Sequence, residues 1–211
     1  MLQRAGVRTS RKRVARLMRH HGLRARAQHV YRRKWKPPPS LPSLLANADP
    51  QAINQLWVGD ITYLKSAGRW RYLAVVMDRW SRRILGWRLS SRRTSTVTQA
   101  VMRSALRLRK PQPGLIFHSD RGVEYGAYAY RDLLARHGIA QSMNRPRGIG
   151  DNACMESFFH SLKSDCIHGA HFPSDELLRH TVARYISHYN RHRMHSALGY
   201  RSPIDYENQP A

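Results

Sequence analysis

The chain has 211 residues, enough for one domain of ordinary size with an appendage and too many for a minimal scaffold held together by disulfides or zinc. It carries 37 Lys and Arg, 31 of them Arg, against 13 Asp and Glu, a formal net charge of +24 that cannot neutralise itself and points to a polyanionic partner gripped by guanidinium–phosphate forks. Hydrophobic residues at 41% exclude a disordered basic tail, two cysteines exclude a disulfide framework, and no apolar run approaches the roughly 20 residues that cross a bilayer.

Residues 1–48 hold 13 Lys or Arg and no acid, the first being Asp49. Within them, Ser10 to Gly22 combines a capping serine, apolar Val14, Leu17 and Met18 at helical spacing, and a terminating glycine. One short amphipathic helix is expected, too small to bury a core alone. Pro37-Pro38-Pro39-Ser40-Leu41-Pro42 then forms a stiff spacer. The expected organisation is a basic arm over residues 1–46 and a folded core over 47–211.

From Leu56 the period changes. Leu56–Leu64, Trp70–Asp78 and Ile84–Leu89 are short runs rich in Val, Ile, Trp and Tyr, which read as a three-stranded meander. Thr94–Arg109 places Val97, Val101, Ala105 and Leu108 on one helical face and stops at Pro111 and Pro113. Leu115–Phe117 reads as a fourth strand, Tyr128–His137 as a helix stopped by Gly138, and Ile139–Met143 as a fifth strand. Pro146 to Gly150 has the composition of a mobile loop. Helices over about 151–164 and 174–191 complete the chain. Strands first and alternation afterwards give an α/β fold, a mixed five-stranded sheet flanked by helices.

In a chain so poor in acids, three carboxylates sit at or near the ends of apolar strand-like runs: Asp60, Asp78 and Asp120. A fourth, Glu156, lies on the helix opened by Gly150-Asp151-Asn152. Carboxylates converging from sheet and helix suit Mg²⁺, which takes oxygen ligands and leaves positions for phosphates. Two such ions about 3.5–4 Å apart can activate an attacking oxygen and stabilise a leaving one.

Trp57-Val58-Gly59-Asp60-Ile61-Thr62-Tyr63, His118-Ser119-Asp120-Arg121-Gly122 with Tyr125, and Asp151-Asn152-Ala153 followed by Glu156-Ser157-Phe158-Phe159 and Lys163 resemble the DDE integrase core of OrfB-type transposases from bacterial insertion sequences, relatives of retroviral integrases. The 35 residues between Asp120 and Glu156 match that pattern. Tyr189-Asn190, Arg193, His195 to Tyr200 and Ser202-Pro203 resemble the family's C-terminal signature. Arg11 to Met18 with Gly22-Leu23-Arg24-Ala25-Arg26 is similar to the tail of its upstream helix-turn-helix. The match spans roughly residues 10–206.

The resemblance implies an RNase H-like fold and a DNA transposase. Water would hydrolyse a phosphodiester at the element's end, and the freed 3′-OH would attack target DNA. Asp60, Asp120 and Glu156 would hold Mg²⁺ or Mn²⁺, two ions per site. It demotes Asp78 to a structural role. Lys163, two helical turns beyond Glu156, would hold a DNA phosphate, with Arg121, Arg147, Arg11, Arg13, Arg24 and Arg26 as further DNA contacts. Asn152 would support Glu156 or, the favoured role, cap its helix. Ser119 and Ser157, beside the acids, would be structural, and His118 either touches the site or is satisfied by its neighbours. Cys154, His160, Cys166, His168 and His171 lack the paired C-x₂₋₄-C spacing of structural zinc sites, so no zinc is expected. Tryptophans inside strand runs, Trp57, Trp70 and Trp87 among them, are expected in the core rather than against bases. Expected partners are DNA, an upstream helix-turn-helix protein of the same element, and further copies of the chain on DNA. The expected location is cytoplasmic and nucleoid-associated, with no membrane. Two alternatives share these features: an RNase H-like nuclease that hydrolyses without joining, and a non-catalytic DNA-binding repressor of transposition.

Overall fold

A computed structural model describes residues 9–23, 42–45, 48–145 and 152–209. Contacts divide the chain into two units, Met1–Arg33 and Lys34–Ala211.

In the first unit, α1 spans Arg11–His20. Ser10 caps it by accepting a hydrogen bond from the Arg13 backbone N–H at 3.2 Å. Gly22, at φ +66°, lets the Leu23 N–H return to the Met18 carbonyl at 2.8 Å, as the sequence led us to expect.

The second unit holds a five-stranded sheet in the order β3-β2-β1-β4-β5, with β1 Leu56–Ser66, β2 Arg69–Asp78, β3 Ile84–Ser90, β4 Ile116–Ser119 and β5 Ala140–Met143. The first three strands are antiparallel; β4 and β5 run parallel to β1. All five expected strands are present, their ends shifted by no more than two residues. The helices are α2 Ser95–Arg109, α3 Val123–Gly126, α4 Tyr128–Arg136, α5 Ala153–Leu162, α6 Asp175–Arg191 and α7 Pro203–Glu207. The period of two along each strand sends side chains alternately into two cores. Trp57, Ala74, Val76 and Phe117 join Val101, Met102 and Tyr130 on one face. Val58, Leu73, Val75 and Met77 join Phe158, Leu162, Leu178 and Val182 on the other. Because β2 is covered on both faces, Leu73–Asp78 is an unbroken buried run.

Several expectations are corrected. Leu108 is exposed and Leu106 is buried instead, since the covered face of α2 runs through Val97, Thr98, Val101, Met102, Ala105 and Leu106. The helix expected over 151–164 tightens into α5 and then widens into a π-helical turn, Lys163–Ile167, closed by the His168 N–H on the Lys163 carbonyl at 2.7 Å. The short helices α3 and α7 were not anticipated. α7 is tied down by Glu207, buried between Arg83 (2.6 Å) and Arg109, while Trp80 packs on Tyr206 with ring centroids 4.6 Å apart. The C-terminal signature is structural in the same way. Asn190 accepts from the Ile84 N–H at 2.9 Å and donates to its carbonyl at 3.0 Å, and Arg193 bonds Asp165 and Ser161. Of the expected spacer only Pro42 is among the described residues; it accepts from Met143, and just beyond it the Leu44 N–H donates to Ser142 Oγ at 2.8 Å, so residues 42–44 lie along β5.

Candidate active site

Parallel pairing of β1 with β4 ends at Gly59↔Ser119. Asp60 and Asp120 are each the next residue, so register alone makes them neighbours across two adjacent strands. Gly59 is required for this approach: a Cβ there would lie 2.5 Å from the Phe117 ring. Glu156 arrives from the other element, exposed on the first turn of α5 and near enough for its charge to act on Asp60.

Electrostatics tie the three together. Burial first, then the charge of Asp120 and, more weakly, that of Glu156, push the Asp60 carboxyl from 3.8 up to about 7, against the Ile61 N–H that it accepts at 2.7 Å and the Arg93 cation. Asp120 is likewise raised by burial, opposed by the Gly122 N–H at 3.0 Å and by Arg93. Like charges crowded into a half-buried pocket with too few cations are a site short of positive charge. The donors are all carboxylate oxygens, which suits a hard divalent cation. Among the described residues no three His, Cys, Asp or Glu side chains already stand at metal-binding distance.

Two partners of Asp120 escaped the sequence reading. Glu124 is buried, and its carboxylate is clamped by Arg93 at 2.6 and 3.2 Å. Gly122 is packed so tightly between them that a Cβ would sit 2.7 Å from Glu124 Oε2, 2.9 Å from Asp120 Oδ1 and 3.2 Å from the Arg93 guanidinium. A buried acid four residues after Asp120, within a motif already singled out, was the available signal.

Lys163 opens the π-helical turn that follows α5. Its ammonium stands 5.2 Å over the Tyr63 ring, and its pKa is lowered by burial against the opposing pull of Asp60. Arg121 is half-buried, its Nε–H donating to the Asn144 carbonyl at 2.7 Å, and Arg13 is exposed on α1. Arg24, Arg26, Arg147, the side chain of Arg11 and the loop 146–150 lie outside the described residues. Asn152 does not cap α5 with its side chain, contrary to the favoured expectation. It is buried instead, and its Nδ2–H reaches the Gly59 carbonyl at 3.4 Å, tying the start of α5 to the residue before Asp60. Its backbone carbonyl accepts from Met155 and Glu156. Asp78 is structural: it accepts from the N–H groups of Asn54, Trp80 and Ser81 at 2.8, 3.0 and 3.2 Å. His118 is buried between Ser142 Oγ (2.8 Å) and Asn144 Oδ1 (2.6 Å), and Ser119 donates to the Asp120 carbonyl. Trp57 is in the core, whereas Trp70 is 57% exposed, a departure taken up below.

Two models described as integrase core domain match the chain, over residues 50–148 and 156–210. The transposase InsF for insertion sequence IS3A of Escherichia coli (strain K12) is 44% identical over 207 residues, covering 94% of this chain and 70% of that protein. The transposase for insertion sequence element IS904 of Lactococcus lactis subsp. lactis (strain IL1403) is 38% identical over 212 residues, covering 98% and 84%. Among solved structures, the HTLV-2 integrase catalytic core domain in complex with magnesium superposes with a TM-score of 0.60 at 16% identity, covering 76% of this chain and all of that one. The simian T-cell lymphotropic virus intasome in complex with PP2A regulatory subunit B56 gamma gives 0.64 at 18% identity, covering 90% and 63%. The fold is thus the RNase H-like fold of integrase cores.

Proposed function

Since the chain belongs to the insertion-sequence transposases built on a DDE integrase core, we propose that Asp60, Asp120 and Glu156 are its catalytic carboxylates and that they hold two Mg²⁺ or Mn²⁺ ions. The observation that carries this reading is the uncompensated charge around Asp60, raised to about 7 by burial and by the other two acids. The magnesium named for the HTLV-2 core supports it. Bound ions would supply charge stabilisation at the attacking and leaving oxygens of phosphoryl transfer.

The chain's own residues do the rest. Asp60, within β1 and fixed by the Ile61 N–H, and Asp120, just past the end of β4 and fixed by the Gly122 N–H, present their free oxygens from adjacent strands. Arg93 and Glu124 set the position of Asp120, and Asn152 sets the start of the helix that carries Glu156. Lys163 holds a phosphate of the DNA strand next to the acids, and Arg121 and Arg147 extend that contact. Residues 1–46 form a basic arm that, through Arg11, Arg13, Arg24 and Arg26, binds phosphates without reading sequence; residues 47–211 form the catalytic core with its C-terminal helical extension. Hydrolysis at the element's end frees a 3′-OH, and attack of that hydroxyl on a target phosphodiester joins the strands. The protein acts as a homo-oligomer on DNA with an upstream helix-turn-helix protein, in the cytoplasm at the nucleoid. Oligonucleotides carrying element ends, incubated with target duplex and Mg²⁺ or Mn²⁺, test the reading: joined products are expected and are lost with chelator. Cleavage without joining would favour a nuclease, and neither product with the upstream partner supplied would favour a repressor.

A further inference from the structure

The antiparallel register of β1 with β2 pairs Tyr63 with Tyr72 and Lys65 with Trp70, so these four side chains share one face, opposite the buried Leu64 and Leu73. Tyr63 and Trp70 are diagonal neighbours there. Their rings meet edge to face with centroids 5.4 Å apart. Both are open to solvent, at 53% and 57%, and unlike the exposed Tyr128 and Tyr200 they touch each other. Two large aromatic rings left in contact with solvent side by side are candidates for an external partner.

Their surroundings say which partner. Lys163 stands 5.2 Å over the Tyr63 ring and feels the charge of Asp60. Lys65 faces Trp70 across the ladder, and Arg69, exposed, precedes it. Aromatic faces interleaved with cations suit a nucleic-acid strand whose bases are unpaired, because every base offers a π-face and every linker a phosphate. An apolar protein surface would not need the cations. Tyr63 is three residues beyond Asp60 on the same strand, about 10 Å at roughly 3.3 Å per residue; the odd step turns its side chain to the opposite face of β1, and Lys163, which meets the Tyr63 ring and feels the charge of Asp60, links the two.

We propose that Tyr63 and Trp70, with Lys163 at their edge, form a stacking platform that holds unpaired bases of the DNA strand a few nucleotides from the phosphodiester being cut or joined. This rests on the catalytic reading of Asp60, Asp120 and Glu156 and adds to it a preference for frayed over fully paired ends. The platform carries no sequence code, so the preference extends to any unpaired bases.

The test compares full-length wild type with Trp70→Ala, Trp70→Phe and Tyr63→Ala on two labelled oligonucleotide duplexes, one blunt and one with a three-nucleotide unpaired extension, by fluorescence anisotropy in chelator at fixed salt. Wild type is expected to prefer the extended duplex. Trp70→Ala is expected to weaken binding to that duplex by about five- to 150-fold, the range for losing one base–aromatic stack, with less than twofold change on the blunt one. Trp70→Phe is expected to keep most of the preference. Equal losses on both duplexes, or none on either, would overturn the proposal. So would a change in self-association by sedimentation with the preference for extended ends intact, which would make the face a protein contact. Joining by wild type and Asp60→Asn is measured alongside: its loss in Asp60→Asn upholds the catalytic reading whichever way Trp70 falls, and its retention removes that reading without touching the binding result.

Discussion

Replacing Asp60 by Asn is expected to stabilise the metal-free protein. The carboxyl is raised from 3.8 to about 7, so the folded state binds its proton more tightly than the unfolded chain does. Between those two values stability falls as pH rises, and above about 7 the whole penalty is present. At about 1.4 kcal/mol per pH unit the interval amounts to about 4 kcal/mol, and solvent screening of a half-buried group reduces this to about 2–4 kcal/mol. Asparagine keeps the oxygen that accepts the Ile61 N–H at 2.7 Å, so nothing else is lost. For a chain of this size each kcal/mol moves Tm by about 2–4 °C, so the variant should melt about 4–16 °C higher at pH 8.5 in chelator. The gap is expected to narrow as pH falls toward 4, where wild type carries the proton itself. Adding Mg²⁺ or Mn²⁺ should raise the Tm of wild type more than that of the variant, because the ion relieves the same repulsion. Differential scanning fluorimetry across pH, with and without metal, reads all of this. A gap independent of pH, or a variant less stable than wild type at pH 8.5, would refute the reasoning.

Two other substitutions and a deletion probe separate parts of the account. Glu207→Ala strands Arg83 and Arg109, whose side chains are only 24% and 10% exposed, and is expected to cost about 3–5 kcal/mol by chemical denaturation, since breaking a buried ion pair leaves uncompensated charge. Gly122→Ala drives a methyl group to within 2.9 Å of Asp120 Oδ1; single-turnover joining is expected to drop at least about tenfold while circular dichroism and DNA affinity hold, and an unchanged rate would remove the Arg93–Glu124 clamp from the mechanism. Deleting residues 1–41 removes 13 cations yet keeps the Leu44 contact with Ser142, so the slope of log affinity against log salt is expected to flatten by several units, at about 0.9 per neutralised phosphate. An unchanged slope would assign DNA affinity to the core.

What could be read from sequence divides along physical lines. Strands rich in Val, Ile and Trp and helices of nine residues or more declare themselves through periodicity, which is local. α3, four residues long, and α7, five, are held by tertiary contacts such as Arg93–Glu124 and Arg83–Glu207 that no local pattern carries. The motifs around Asp60, Asp120 and Glu156 pointed to one site, but the adjacency of the first two depends on the Gly59↔Ser119 register, a long-range fact. Asn152 was assigned a cap because its position fits one, and the Gly59 carbonyl outcompeted that role. Trp70 was expected in the core because it begins a buried strand. Period two cannot tell where along a strand the covering helices stop.

The most direct measurement is single-turnover strand transfer by wild type, Asp60→Asn, Asp120→Asn, Glu156→Gln and the double variant Asp60→Asn/Glu156→Gln, with Mg²⁺ and with Mn²⁺. If the three carboxylates act as one metal-holding unit, each single variant loses at least about 10³-fold and the double variant loses no more than the worse single, with DNA affinity retained throughout. Any single variant that joins at the wild-type rate, or losses that multiply in the double, would contradict a shared site.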